Sequence, residues 1–489
     1  MSGQSKPNYS LLDTTISISD QSIPITRRVD VLVCGGGVAG LAAAVAAARC
    51  GAKTLLIERA GYLGGTATGS SMALIVIPAK ELVGFPKEFF ARLATEHGAG
   101  LGDVVPWDVE AYKLVALETL VEAGAGLLLY TLATAPLLDA NGMNGVVVEN
   151  KSGRQAILAK VVIDATGDGD IAMRAGVPFV MGREADGAMR PVTVMGRIGN
   201  IDLRAFKAYI DANPGDFSQD DGRRVVDLAN GVIRIDGFFS IVEKAKKLGY
   251  LSPDMPVNYL RFSGVAPADQ LDCANLVCNS TRVYGVDGTN ADDITRAEIA
   301  GRQQLRAVVR LCRDLLPGFE RSYLVDTSGY LGVRETRRIK GQFIFTYDHI
   351  AKGTRFDDSI AVMTALDRGT TEIHSPDYGH EGSEQDDWAR RLVFPLMRFE
   401  FPLRCLLPEG IANLLVAGRC CSVTHDVDKF TRGMSQAALM GQGAGTYAAL
   451  TTSHGAGWGK LPIAELQAEL ARQGVPTKLG QCPVPSTTP

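Results

Sequence analysis

Several signatures are missing from this chain of 489 residues, and each absence removes a class of function. No two of the nine cysteines form a Cys-x-x-Cys pair, which excludes a thioredoxin-like couple and a ferredoxin-type cluster. No apolar run approaches a membrane span, Met72–Ile77 being far too short, so no membrane partner is expected. A formal net charge of −4 leaves no basic footprint for nucleic acid. The stretch Ser2–Ser10 is polar and lacks an apolar signal core. Together with an odd, irregularly spaced set of cysteines, this points to reduced thiols and a cytoplasmic location. Histidine is scarce at six residues. A metal site from His374, His380 and Glu381 matches no zinc spacing, so no metal is expected.

Glycine, by contrast, is abundant at 54 residues, in a chain otherwise ordinary at 46% hydrophobic and 21% charged. The glycines concentrate first in Asp30-Val31-Leu32-Val33-Cys34-Gly35-Gly36-Gly37-Val38-Ala39-Gly40. An apolar strand enters a Gly-x-Gly-x-x-Gly turn, an Ala-rich helix follows, and a second strand, Lys53–Ile57, ends on Glu58. This is the order of a βαβ dinucleotide-binding unit. Gly35 permits the turn, Gly37 lets backbone approach a pyrophosphate, and Gly40 lets helix pack on strand. Val38 and Ala39 open the helix, whose N–H groups and positive dipole end face the phosphates. Glu58, eighteen residues past Gly40, suits the ribose hydroxyls.

Further along, Arg59–Gly69 supplies a second glycine-rich loop containing Gly64, Gly65 and Thr66. Residues 86–98 and 108–124 carry apolar positions at helical spacing. Strands are expected at Leu127–Leu132, Met143–Asn150 and Ala156–Asp164, with Asp139–Gly142 and Lys151–Gly153 as hairpin turns. The last strand runs into Ala165-Thr166-Gly167-Asp168-Gly169-Asp170. A helix is expected at 292–315, capped by Asp292 or Asp293. Rossmann texture returns with a strand at Ile411–Ala417, the turn Gly418-Arg419-Cys420-Cys421, and a small-residue helix at 434–451. A last helix is expected at 462–472. The fold class is therefore α/β. A discontinuous nucleotide domain (1–185 plus 400–455) holds an inserted α+β substrate or cap domain (186–399), and a tail follows at 456–489.

The opening fingerprint, Glu58-Arg59 before Gly64-Gly65, the Asp164–Asp170 turn and Leu414–Arg419 resemble the two-dinucleotide-binding-domain flavoproteins, with a glutathione-reductase-like (GR2-like) FAD fold. Within them the chain resembles the FAD-dependent oxidoreductase family, which shares a Gly-Val-Arg-Glu-x-Arg-Arg segment, here Gly332–Arg338. The similarity spans roughly residues 29–455. It implies FAD held by Gly35, Gly37, Gly40 and Glu58, with Arg59 flanking the adenine and Leu132 or Ala133 meeting it through backbone. It also implies Gly64, Gly65 and Thr66 beside the ribityl chain, Ala165, Thr166 and Gly167 closing over the cofactor, and Gly418 and Arg419 at the pyrophosphate or ribitol. Gly441, Gly443 and Ala444 would place N–H groups at the flavin pyrimidine edge, where positive partial charge stabilises anionic reduced flavin.

With flavin supplying the redox chemistry, the protein must orient substrate and move a proton. Arg334 reads either as a carboxylate-binding guanidinium or as a structural arginine paired to Glu335. His425, just past the Gly418 turn, reads as an acid/base or as a packed histidine bonded to backbone. His374 is a third candidate, on a loop of the inserted domain. Arg337 and Arg338 read as ion partners. Lys429 and Arg432 read as an anionic entrance or a solvated surface, and Cys420-Cys421 as two packed thiols. The expected function is an FAD-dependent dehydrogenase or oxidase moving a hydride between a small polar organic substrate and flavin N5. Electrons would pass to oxygen, a quinone or a carrier protein, since no second fingerprint serves a nicotinamide. The alternatives are a partner-fed reductase of an activated C=C bond and a protein that keeps FAD without turnover. Whether the chain forms a homo-oligomer stays open.

Overall fold

The computed structural model describes residues 22–482 apart from 97, 218–223, 253, 368–373, 377–393 and 456. Residues 1–21, Glu372, His380 and Glu381 thus lie outside the described residues.

Strand β1 (Ile25–Cys34) starts exposed and polar and ends in the buried apolar run Val31–Cys34, and the alanine-rich stretch forms helix α1 (Val38–Arg49). Strand β2 (Thr54–Ile57) follows and is buried throughout. Helices α2 (Gly84–Thr95) and α3 (Val109–Glu122) come next, the second capped by the Asp108 carboxylate. Then come β3 (Gly126–Leu128), β4 (Leu132–Asp139), β5 (Gly142–Asn150) and β6 (Gly153–Asp164). The single strand expected at 127–132 is therefore two strands broken at Leu129–Thr131, where Tyr130 takes a positive φ of 51°. Both expected hairpin turns, at 139–142 and 151–153, join antiparallel neighbours.

The first sheet has the order β3-β2-β1-β6-β5-β4, and a late strand, Leu414–Val416, adds in parallel to β6. Strands β1, β2, β3 and β6 are parallel. This is a mixed α/β fold with a Rossmann-like parallel core. The carboxyl ends of β1, β2, β6 and the late strand open on one side, at Gly35, Glu58, Ala165 and Gly418. Ligands of open parallel sheets bind there.

A second sheet is wholly antiparallel, ordered β8-β9-β10-β11-β7-β12. Its strands are β7 (Gly196–Ile201), β8 (Val225–Asp227), β9 (Val232–Gly237), β10 (Leu260–Val265), β11 (Ala274–Cys278) and β12 (Tyr323–Thr327). One face packs on helices α4 (Leu203–Ala212), α5 (Phe239–Lys247) and α6 (Ala291–Leu315), giving a separate apolar core drawn from residues 192–331. Helix α6 is capped by Asn290, not by Asp292 or Asp293; the Asn290 side chain accepts from the backbone N–H groups of both aspartates.

The span expected as one insert, 186–399, is divided between the two cores. Phe345, Phe356, Ile360, Met363, Phe399 and Phe401 are buried with the nucleotide-binding half, not with the antiparallel sheet. Their strands, Ser359–Leu366 and Leu396–Pro402, pair with each other and lie against the C-terminal helices. Helices α7 (His425–Thr431), α8 (Met434–His454) and α9 (Ile463–Arg472) close the chain. The last of these, at the place expected for a helix, packs its Leu466 and Leu470 into the first core. All nine cysteines are free thiols, and burial pushes that of Cys421 up to about 12.

Candidate functional site

The turn after β1 is built of backbone. Gly35 sits at φ +104° against the Ala165 carbonyl, and a Cβ on Gly40 would fall on the Gly35 carbonyl. Gly37 differs: a Cβ there would meet only the Gly65 Cα, at 3.8 Å, so its outward side is open. Gly37 and Gly64 form a parallel bridge, and the Gly64 N–H donates to the Gly36 carbonyl at 2.8 Å. The two glycine loops expected from sequence are thus one surface. No side chain caps α1 and no acid stands in its first turn. Its positive end at Val38 and Ala39 therefore faces out toward any anion.

The polar groups around this cradle are held in place. Glu58 is buried and accepts from the backbone N–H of Gly36 at 2.6 Å and of Ala60 at 2.8 Å. Thr66 is exposed on the rim, and the Arg59 guanidinium lies 5.4 Å from the centre of the Tyr330 ring. Asp164 is fully buried, and burial pushes its carboxyl up. It accepts from Thr166 and from the N–H groups of Ile171 and Ala172, which fixes the Ala165–Gly167 turn. Arg419 donates to Asp168 at 2.7 Å over Gly167, while its buried Nη1 has no partner among the described residues. Gly418 rests against Ala39.

These residues fit a dinucleotide. An open glycine surface, an uncapped helix start, a fixed carboxylate and an unspent guanidinium donor converge at the strand ends. One expected contact is displaced, however. Gly441, Gly443 and Ala444 lie two turns inside α8, where their N–H groups belong to the helix. Gly441 and Gly445 instead let α8 lie against the Ala39 and Ala43 carbonyls of α1. The free donor end of α8 is at Met434–Gln436, because a helix exposes N–H groups only in its first turn. Nearby, the Ala133 carbonyl accepts from Arg174 at 3.3 Å, and the backbone N–H groups of Tyr130 and Thr131 donate to the Ala60 and Glu58 carbonyls.

The Gly332–Arg338 segment spreads its side chains in several directions. Thr336 donates to Asp168 at 2.6 Å, so one carboxylate ties this segment to Arg419. Arg337 pairs with Asp170 at 2.9 Å. Arg338 pairs with Glu335 and Glu184 and donates to the Val423 carbonyl at 3.0 Å. The His425 Nδ1 lies 2.7 Å from the Glu335 carboxylate, and the His425 carbonyl accepts from Arg190 at 3.0 Å. His425 is therefore locked by a carboxylate rather than by backbone alone. Burial would raise the Glu335 carboxyl; the His425 hydrogen bond and the charges of Arg338 and Arg190 outweigh that and hold it below its usual range. Asp428 completes the buried network with Arg190 at 3.5 Å and Arg432 at 3.3 Å. Lys429 and Arg432 are thus not a solvated surface. Lys429 is buried over Phe430, and burial lowers Arg432 to about 10 against the pull of Asp428.

Arg334 points elsewhere. It is 9% exposed and donates to the Pro191 carbonyl, with no bond to Glu335. Burial, then the charges of Arg282 and Arg432, push its guanidinium well down. His374 lies in the same region. It is held well below its ordinary value by burial and by Arg334, Arg282, Arg432 and Arg261. Two arginines of this group, Arg261 and Arg282, were not singled out from sequence. For Arg261 a signal existed: charged residues alternate with apolar ones in Ile233-Arg234-Ile235-Asp236 and Leu260-Arg261-Phe262-Ser263. That pattern gives a sheet one apolar and one polar face.

Fold and cradle define a dinucleotide-binding α/β protein. A family model described as FAD dependent oxidoreductase matches residues 30–470. The chain belongs to the FAD-dependent oxidoreductase family; it is an oxidoreductase and FAD is its cofactor. Thiamine thiazole synthase of Methanococcus vannielii is 31% identical over 158 residues, 29% of this chain and 56% of that protein. Dihydrolipoyl dehydrogenase of Trypanosoma brucei brucei is 32% identical over 162 residues, 31% of this chain and 32% of that one. The chain thus spans about a third to a half of these relatives' lengths. Among solved structures, p-nitrophenol 4-monooxygenase of Pseudomonas putida superposes with a TM-score of 0.44 at 11% identity, over 92% of this chain and 85% of that one. Among the described residues, no helix is long and apolar enough to cross a membrane.

Proposed function

We propose that the chain moves a hydride between a small polar organic substrate and its flavin, with the substrate held between the Gly64–Met72 loop and the antiparallel sheet. In this reading the fold is of the glutathione-reductase-like type and residues 192–331 are its substrate-side half. Bound FAD supplies a hydride acceptor and donor at N5. The observation that carries the proposal is the meeting of the two halves at that loop. The Gly329 N–H donates to the Gly69 carbonyl at 2.8 Å, Ser70 donates to the Leu331 carbonyl at 3.0 Å, and Asn279 donates to the Met72 sulfur at 3.4 Å.

The dinucleotide would be held by Gly35–Gly40, Glu58, Gly64–Thr66, Ala165–Gly167, Gly418 and Arg419, with the first turn of α8 toward the flavin. Arg334 anchors the substrate. A guanidinium already desolvated and fixed at the Pro191 carbonyl binds an oxyanion more strongly than one in water. His374, kept neutral at pH 7, offers an unprotonated nitrogen to a substrate O–H or N–H proton. His425 acts through position: Glu335 orients its ring, and the pair braces the 334–338 segment. The test is anaerobic mixing of the yellow holoprotein with a panel of hydroxy, amino and saturated acids. Bleaching of the flavin band by one of them supports the proposal. Bleaching only by dithionite with a carrier, followed by reoxidation with an enoate, would instead establish the partner-fed reductase.

A further inference from the structure

The antiparallel sheet has two unlike faces. Ile233, Ile235, Leu260, Phe262, Leu276 and Cys278 point into the apolar core. The opposite face carries Arg234 beside Ser263 and Asp236 beside Arg261, all buried. Val277 and Met195 on that face belong to the core of the nucleotide-binding half. A charged sheet face is thus sealed against the flavin side of the molecule.

Among the described residues, the charges on and around that face do not balance. Asp236 pairs with both Arg234 and Arg261. Asp428 serves Arg190 and Arg432, and Glu335 serves Arg338. Arg282 and Arg334 are different. Arg282, 5% exposed, donates to the Thr281 carbonyl at 2.7 Å and to the Tyr259 hydroxyl. Arg261 and Arg282 lie 5.7 and 5.4 Å from the centre of the Tyr259 ring. Arg432 reaches the Arg334 carbonyl at 3.4 Å. Among the described residues, no carboxylate pairs with either Arg282 or Arg334. A buried guanidinium without a counter-charge is costly, so sites of this kind are completed by an anion from outside the chain. The two arginines are brought together by the chain: Arg334 donates to the Pro191 carbonyl, and Val192 bridges Val283, the residue after Arg282.

We propose that Arg282 and Arg334 form a two-point receptor for a compact dicarboxylate, and that such dianions are the substrate class of this oxidoreductase. Each guanidinium offers a planar fork to one carboxylate. Tyr259 sets the position of Arg282, and Pro191 that of Arg334. An anion between them offsets the charges that depress His374, so occupancy strengthens the proton acceptor beside it. This rests on the redox reading above, since it names the substrate of that site.

The test is calorimetric titration of the FAD-loaded protein with succinate, propionate and inorganic phosphate. Succinate should bind at least about tenfold more tightly than propionate, the loss expected for one charged hydrogen-bonding partner. It should also bind more tightly than phosphate, whose charges sit on one centre rather than on two carboxylates. Arg282→Gln and Arg334→Gln should each weaken succinate at least about tenfold and so remove its preference over propionate. Arg282→Lys and Arg334→Lys, which keep the charge, should fall between. Equal binding of succinate and propionate, tighter binding of phosphate, or an unchanged preference in folded, yellow variants would overturn the receptor. If succinate binds as expected yet no donor bleaches the flavin, the receptor stands and the redox reading falls. If uncharged alcohols bleach it regardless of Arg282 and Arg334, the redox reading stands and the dicarboxylate proposal falls.

Discussion

The cradle at Gly35–Gly40 and the charged face of the antiparallel sheet handle negative charge by opposite means. The cradle presents almost no side chains: glycine surfaces, the start of α1 and backbone N–H groups are what it offers to a ligand. Its partial charges are built into peptide dipoles, cost little to bury and need no counter-ion. The sheet face uses whole guanidinium charges, and each must be matched by a carboxylate or left waiting for a ligand. Backbone recognition suits a group that is always the same, such as a pyrophosphate. Side-chain recognition suits a substrate that must come and go, because its strength depends on which charges are present.

The sharpest break of this contrast lies in the cradle. Gly40→Val should abolish FAD binding and soluble folding, because its Cβ would occupy the place of the Gly35 carbonyl. Gly37→Ala should fold, since its outward side is open, yet lose at least about tenfold in FAD affinity as the methyl meets the phosphates. Flavin-to-protein absorbance ratios and fluorescence titration of the apoprotein read both. Normal FAD binding by Gly40→Val would end the backbone account.

Next in size is the ion network. Glu335→Gln leaves Arg338, Arg190 and His425 short of one negative charge, and should cost about 3–5 kcal/mol in urea denaturation at saturating FAD. A loss below about 1 kcal/mol would mean that the network is no more than a surface-like set of pairs. Arg334→Gln should instead keep FAD and most stability, but slow flavin reduction about tenfold or more in anaerobic stopped flow. An unchanged rate would remove Arg334 from the site.

The smallest effect concerns pH. His374 is held below its ordinary value in the folded protein, so the unfolded chain takes up the proton first as pH falls. The stability is present above the unfolded value of about 6.5 and is lost as pH drops toward the folded one. Between pH 6.5 and 5 the wild type should lose stability more steeply than His374→Gln, by at most about 1.4 kcal/mol per pH unit. Parallel slopes would show that His374 titrates normally.

Much of the cradle was legible because its information is local. Gly35, Gly37, Gly40 and Glu58 are spaced by the geometry of a single βαβ unit, and Gly418-Arg419 follows a strand of the same kind. The misplacement of Gly441–Ala444 came from reading small residues as ligand contacts. In an α8 that lies along α1 they are the condition for close helix packing. Arg334 was noticed for its motif, but its partners were not. Pro191, Arg282 and Arg432 are each separated from it by tens of residues or more, and no spacing rule joins them. The division of residues 186–399 between two cores was equally hidden, because apolar alternation says that a strand is buried and not against what.

The amino-acid order alone determined the parallel nucleotide-binding unit, the FAD fingerprint and the two faces of each strand, since these follow from backbone periods of about 3.6 and 2.0. Tertiary structure decided which charged residues find a counter-charge. That depends on distances between elements folded from distant parts of the chain, and a buried charge is defined only by what surrounds it. Arg282 and Arg334, left without one among the described residues, are a property of the folded molecule.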